Sequence, residues 1–92
     1  MTLRFQKRAL KQIDTALAYI QARSPQGAAK VEARLTAILA LLQEHPYVGS
    51  RTRFPGVRRV FLTPYPYLLD YYAGRDEIVI QRFRHTARRP VG

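Results

Sequence analysis

Residues 57–83 read Val57-Arg58-Arg59-Val60-Phe61-Leu62-Thr63-Pro64-Tyr65-Pro66-Tyr67-Leu68-Leu69-Asp70-Tyr71-Tyr72-Ala73-Gly74-Arg75-Asp76-Glu77-Ile78-Val79-Ile80-Gln81-Arg82-Phe83. Short runs rich in Val, Ile, Phe and Tyr are separated by Pro64, Pro66 and Gly74. β-Branched and aromatic residues suit a pleated, half-buried backbone, and Pro and Gly punctuate it. The stretch predicts strands at about Val57–Leu62, Tyr67–Tyr72 and Glu77–Phe83, with Ala73-Gly74-Arg75-Asp76 as the hairpin connection between the last two. Alternation puts Tyr67, Leu69 and Tyr71 on one face of their strand, a spacing expected of ordinary sheet packing.

Upstream the period changes. Between Gln6 and Arg23 the larger apolar residues Leu10, Ile13, Leu17 and Ile20, with Ala9 and Ala16 beside them, recur at three- and four-residue spacing, the mark of an amphipathic helix. Ser24 then supplies an N-cap and Pro25 the first position of a second helix. In that helix Val31, Leu35, Ile38, Leu39 and Leu42 repeat on one face until Pro46 ends the pattern. His45, beside that proline, reads as a capping cation at the helix C-terminus. A connection of two to four residues implies an antiparallel helical hairpin. Thr2–Phe5 reads as a short strand, because Leu3 and Phe5 need a sheet to pack on. The expected class is α+β, in the order β-α-α-β-β-β, with the hairpin of helices on one face of a mostly antiparallel sheet. The chain makes one domain of 92 residues, and Arg88 to Gly92 read as a solvated tail.

Charge and cysteine usage narrow the function. Sixteen Lys+Arg against 6 Asp+Glu leave a formal charge of +10, so a partner carrying negative charge is expected. With no cysteine, disulfides, thiolate zinc sites and thiol nucleophiles are excluded. Two scattered histidines cannot complete a metal site, so neither metal nor cofactor is expected. The apolar runs are far shorter than a membrane span and no apolar stretch follows the N-terminal charges, so the expected location is the cytoplasm.

All nine cations from residue 47 onward are arginines, whose forks match phosphate and carboxylate bidentately. Arg51, Arg53, Arg58, Arg59, Arg82, Arg84, Arg88 and Arg89 flank or end the strands. In the last strand Arg82 and Arg84 share one face while Phe83 and His85 share the other, and a histidine there is a candidate general acid or base. Clustered tyrosines beside arginines also fit a plain nucleic-acid-binding module, although no recognition helix or RNA-binding signature accompanies them. Asp70 and Glu77 stand too far from other carboxylates to be assigned paired acid and base roles.

Three segments together resemble the RelE/ParE toxin superfamily: Val57-Arg58-Arg59-Val60-Phe61 followed by Pro64-Tyr65-Pro66-Tyr67-Leu68-Leu69-Asp70-Tyr71-Tyr72, then Asp76 to His85, and finally Ala87-Arg88-Arg89-Pro90. The resemblance implies the toxin of a bacterial type II toxin–antitoxin pair, held inactive by a cognate antitoxin that alone contacts operator DNA. RelE-like members cleave mRNA at the ribosome, and ParE-like members poison DNA gyrase. Metal-free RNA cleavage needs a base, an acid and cations around the phosphate, for which Arg58, Arg82 and His85 are the candidates. Tyr67 stands where RelE-like nucleases resemble one another in carrying a basic residue, and no tyrosine follows Tyr72. The Pro-Tyr-Pro-Tyr entry and the ending from His85 to Pro90 are more similar to ParE-like members. The resemblance therefore implies target contacts at Arg82, Arg84, His85, Arg88 and Arg89, and antitoxin contacts at Arg58, Arg59, Tyr67 and Tyr71.

Overall fold

The computed structural model describes residues 1–87, so Arg88 and Arg89 lie outside the described residues. Strand β1 (Thr2–Phe5) leads into helices α1 (Lys7–Arg23) and α2 (Pro25–Glu44), followed by β2 (Ser50–Arg51), β3 (Val57–Phe61), β4 (Tyr67–Ala73) and β5 (Glu77–His85). The sheet order is β1-β5-β4-β3-β2, with β1 parallel to β5 and every other pairing antiparallel. The expected α+β architecture is present, with one addition: β2, a two-residue edge strand pairing Ser50 with Arg59 and Arg51 with Arg58. So short a strand carries no periodicity and exists only because β3 offers it an edge.

Ser24 alone connects the helices. Its hydroxyl accepts the Gly27 N–H at 3.0 Å, and its own N–H donates to the Ile20 carbonyl at 2.7 Å, so one residue closes α1 and caps α2. At the far end the backbone N–H of His45 closes the last turn of α2 on the Leu41 carbonyl. The buried stripe of α2 is Ala28, Val31, Leu35, Ile38 and Leu42, while α1 buries Ala9 and Ile13 and half-buries Ala16, Leu17 and Ile20. Leu10, expected on that stripe, is 45% exposed instead. Ala9, Ile13 and Ile20 set the direction α1 presents to the sheet, and Leu10 is turned about 100° from Ala9.

The helices pack on Tyr67, Leu69, Tyr71, Ile78, Ile80 and Phe83, which with the α2 stripe form one core. Among the described residues the other face of the sheet carries no helix. Its residues are those of opposite parity, including Leu68, Asp70 and Tyr72 of β4. Between β4 and β5 the register slips: Asp70 faces Arg82 but Tyr71 faces Ile80, leaving Gln81 as the extra residue of a bulge. The bulge keeps both Ile80 and Phe83 on the helix side although they are three residues apart.

Candidate functional site

The registers place three rows of side chains on the open face. Phe61, Leu68 and Arg84 form one; Ser50, Arg59, Asp70 and Arg82 form the central one; Val57, Tyr72 and Val79 form the third. Successive rows are about 6–7 Å apart along the strands. The central row floors a hollow of ≈ 690 Å³ into which Arg8 reaches from the start of α1 and Arg51, Arg53 and Phe54 from the β2–β3 segment. Six of its lining residues are arginines: Arg8, Arg51, Arg53, Arg59, Arg82 and Arg84. Among the described residues Asp70 is the only acid lining it.

Asp70 is also the one charged residue buried among the described residues, 7% exposed. It survives there because Arg59, its neighbour across the β3–β4 ladder, donates Nε at 2.7 Å to one carboxylate oxygen and Nη2 at 3.1 Å to the other. The hydrogen bonds to Asp70 raise the Arg59 pKa above its ordinary value against the opposing effect of desolvation, so this guanidinium stays charged. The pair fixes the plane of the Arg59 fork and turns it toward the middle of the sheet. Arg8 donates Nε to the Gln81 carbonyl at 3.4 Å, at the bulge, and the Arg53 guanidinium lies 5.0 Å from the Phe54 ring. The rim carries rings: Phe54 lines the hollow and Phe61 and Tyr72 stand in the flanking rows, 57%, 50% and 41% exposed.

Arg58, one residue before Arg59, points to the opposite side and does different work. Its Nη1 donates to the Tyr47 carbonyl at 3.1 Å and the Gly49 carbonyl at 2.9 Å, and its guanidinium lies 5.2 Å from the Tyr47 ring. Tyr71, opposite Arg58 in the ladder, completes the clamp: its hydroxyl donates to the Pro46 carbonyl at 2.8 Å and accepts the Gly49 N–H at 3.0 Å. A Cβ at position 49 would fall 2.7 Å from that hydroxyl, which is why the close approach requires glycine. Burial pushes the Tyr71 phenol above its usual range, with the Gly49 N–H and the Arg58 charge pulling the other way. Tyr71 has no exposed surface to offer a partner, and Tyr67 has 9%.

His85 lies at a third location. Tyr67 stacks on Phe83 with centroids 5.2 Å apart, and meets His85 edge-on at 5.3 Å. The Ala87 N–H donates to His85 Nδ1 at 3.0 Å, so the neutral ring carries its proton on Nε2 and presents a donor there rather than a base. His85 pairs with Tyr67 and Arg58 with Tyr71, which separates them by about 13 Å along the strand direction, while Arg82 is on the other side of the sheet. Of the candidate residues, the fold therefore gathers Arg59, Arg82 and Arg84 on the open face and leaves Arg58, His85, Tyr67 and Tyr71 behind it. Asp70, Arg8, Phe54 and Phe61 are the site residues the sequence did not single out, whereas Tyr72 belongs to its cluster of tyrosines. The parity of β4 was the available signal, since a lone aspartate between Leu69 and Tyr71 must face away from the core they build. Glu77, also set aside, forms an exposed pair with Arg4 at 3.1 Å. No helix among the described residues is long and apolar enough to cross a membrane.

An open-faced α+β domain with a strongly cationic sheet is the class that fold and site define. The family described as the ParE toxin of type II toxin-antitoxin system, parDE, matches residues 3–90, and the chain belongs to that family. It is 35% identical over 74 residues to a Sinorhizobium fredii protein named "Putative toxin Y4kP", covering 80% of this chain and 77% of that protein. Among solved structures it is similar to a chain of the chromosomal ParDE TA system from P. aeruginosa, with a TM-score of 0.79 and 23% identity over 92% of this chain and 95% of that one. It also resembles the isolated E. coli RelE toxin, with a TM-score of 0.69 and 17% identity over 96% and 86% of the two chains. At these identities both structures bear on the fold.

Proposed function

We propose that this ParE-family toxin arrests growth in the cytoplasm by poisoning DNA gyrase through surface contact, with no cofactor and no catalysis of its own, and that a cognate antitoxin neutralises it. The observation that carries the proposal is the separation of Arg58, Arg82 and His85. A nuclease must bring its base, acid and phosphate cations to one scissile bond, whereas here Arg58 clamps a loop, His85 offers a donor at the end of β5, and Arg82 faces the opposite side. Family membership supports the coarser part, a type II toxin with an antitoxin partner. The target surface we assign is the open face around Arg59, Arg82 and Arg84; Arg88 and Arg89, which lie outside the described residues, remain target contacts expected from the sequence. Arg59 is also the one proposed antitoxin contact with a charged group on that face.

The test is controlled expression of the chain alone, scored for DNA breaks and for mRNA cleavage, with and without co-expression of any small acidic protein that a neighbouring gene encodes. DNA breaks relieved by that neighbour are expected. His85→Ala is expected to retain most toxicity, and deletion of Arg88 to Gly92 to weaken it. Loss of toxicity from His85→Ala alone, with fold and antitoxin binding intact, would establish the RelE-like ribonuclease in place of the gyrase poison.

A further inference from the structure

We infer that the open face is a binding site for single-stranded DNA, the arginine hollow holding the phosphate backbone and the rim rings stacking on bases. This deepens the gyrase proposal, on which the choice of DNA over RNA rests, by making part of the toxin's contact a contact with nucleic acid.

The charge comes first. Among the described residues six arginines and one aspartate line a single hollow, and that aspartate is already engaged by Arg59. One-signed charge at this density costs self-repulsion until a polyanion neutralises it. A peptide neutralises it only with carboxylates at nearly every position facing the sheet. A nucleic acid carries one charge per nucleotide whatever its sequence. Guanidinium forks also match phosphate oxygens bidentately, and Arg59 is pre-set in one orientation by Asp70, so less freedom is lost when it engages.

The rings make the ligand a single strand. Phe61 and Tyr72 stand one row to either side of the Arg59–Asp70–Arg82 row, both about half exposed, and Phe54 overhangs the same hollow. Phosphate cations flanked by exposed rings are the arrangement in which splayed bases stack while the backbone runs between them. A duplex hides its base faces and would leave these rings uncovered.

The test uses the purified full-length toxin and a fluorescein-labelled twelve-nucleotide oligo(dT), read by anisotropy without gyrase, so its outcome is separate from that of the gyrase proposal. With about three phosphates neutralised, affinity should fall about 20-fold between 50 and 200 mM salt. The variant Arg51→Gln/Arg82→Gln should weaken binding and flatten that salt dependence. Tyr72→Ala and Phe61→Ala should each weaken binding about fivefold or more without changing the salt slope. Lys30→Gln/Arg34→Gln, on α2, should bind as the parent does, and thermal melts of every variant separate misfolding from lost contact. No binding at 50 mM salt, binding indifferent to Arg51 and Arg82, tighter binding of a duplex of equal length, or tighter binding of oligo(rU) would each overturn the inference.

Discussion

The two faces of this sheet are built from the same strands yet carry opposite chemistry. On β4 the alternate residues Tyr67, Leu69 and Tyr71 go under the helices, while Leu68, Asp70 and Tyr72 take the other face, where Asp70 lines the arginine hollow. On β3 the neighbours Arg58 and Arg59 divide the same way. Arg58 spends its hydrogen bonds on loop carbonyls, and Arg59 holds Asp70 within reach of solvent. One face thus consumes its polar groups to close the fold, and the other keeps cations and rings at the surface. What a side chain contributes here depends on its parity more than on its type.

The sharpest way to break the comparison is to delete equal chemistry from each face. Leu69 is fully buried under the helices, so Leu69→Ala should cost about 2–5 kcal/mol in chemical denaturation. Phe61, larger but half exposed on the open face, should cost far less on truncation to alanine. Equal losses at the two positions would mean that the open face is as tightly packed as the core.

A smaller effect is expected where polar groups do the holding. Arg59→Gln leaves the nearly buried Asp70 carboxylate without its bidentate partner and should cost about 1–3 kcal/mol. Urea midpoints of the variant and parent at neutral pH check this, and an unchanged midpoint would mean that the pair is not what stabilises this row.

Much of this arrangement is legible in the sequence, for identifiable reasons. Val31, Leu35, Ile38 and Leu42 repeat over enough turns to define α2 from spacing alone, and the Ser24-Pro25 boundary carries its own capping chemistry. The strands of residues 57–83 follow from composition and punctuation. Ser50–Arg51 does not, because a two-residue strand exists only through its partner. Nor does the clamp of Arg58 and Tyr71 on residues 46–49, whose contacts span up to 25 positions and depend on how the chain returns from α2. Residue type alone did not foretell placement: Tyr71 is fully buried, and the half-buried Arg58 is committed to loop carbonyls. Asp70 shows the converse, a residue set aside as isolated that sits at the centre of the hollow.

The smallest and most specific effect concerns the Tyr71 hydroxyl. Tyr71→Phe removes the donor to Pro46 and the acceptor for Gly49, so the loss should be about 1–2 kcal/mol at neutral pH, mostly from leaving those backbone groups unpaired. Its pH dependence is the distinguishing mark. Burial favours the neutral phenol, raising the folded-state pKa above the ordinary value near 10 at which an unfolded tyrosine ionises. As pH rises past 10 the unfolded chain therefore releases this proton first and binds fewer protons than the folded one, so stability falls with increasing pH. Below pH 10 the contribution is fully present, and it is lost as pH climbs through the folded-state pKa. In Tyr71→Phe this part of the alkaline decline is absent, so the stability difference between the two proteins should narrow above pH 10. Denaturation midpoints taken at pH 8, 10 and 11 give the comparison. A difference that stays constant across that range would place the phenol in contact with water and loosen the clamp that separates the interior face of this sheet from its exposed one.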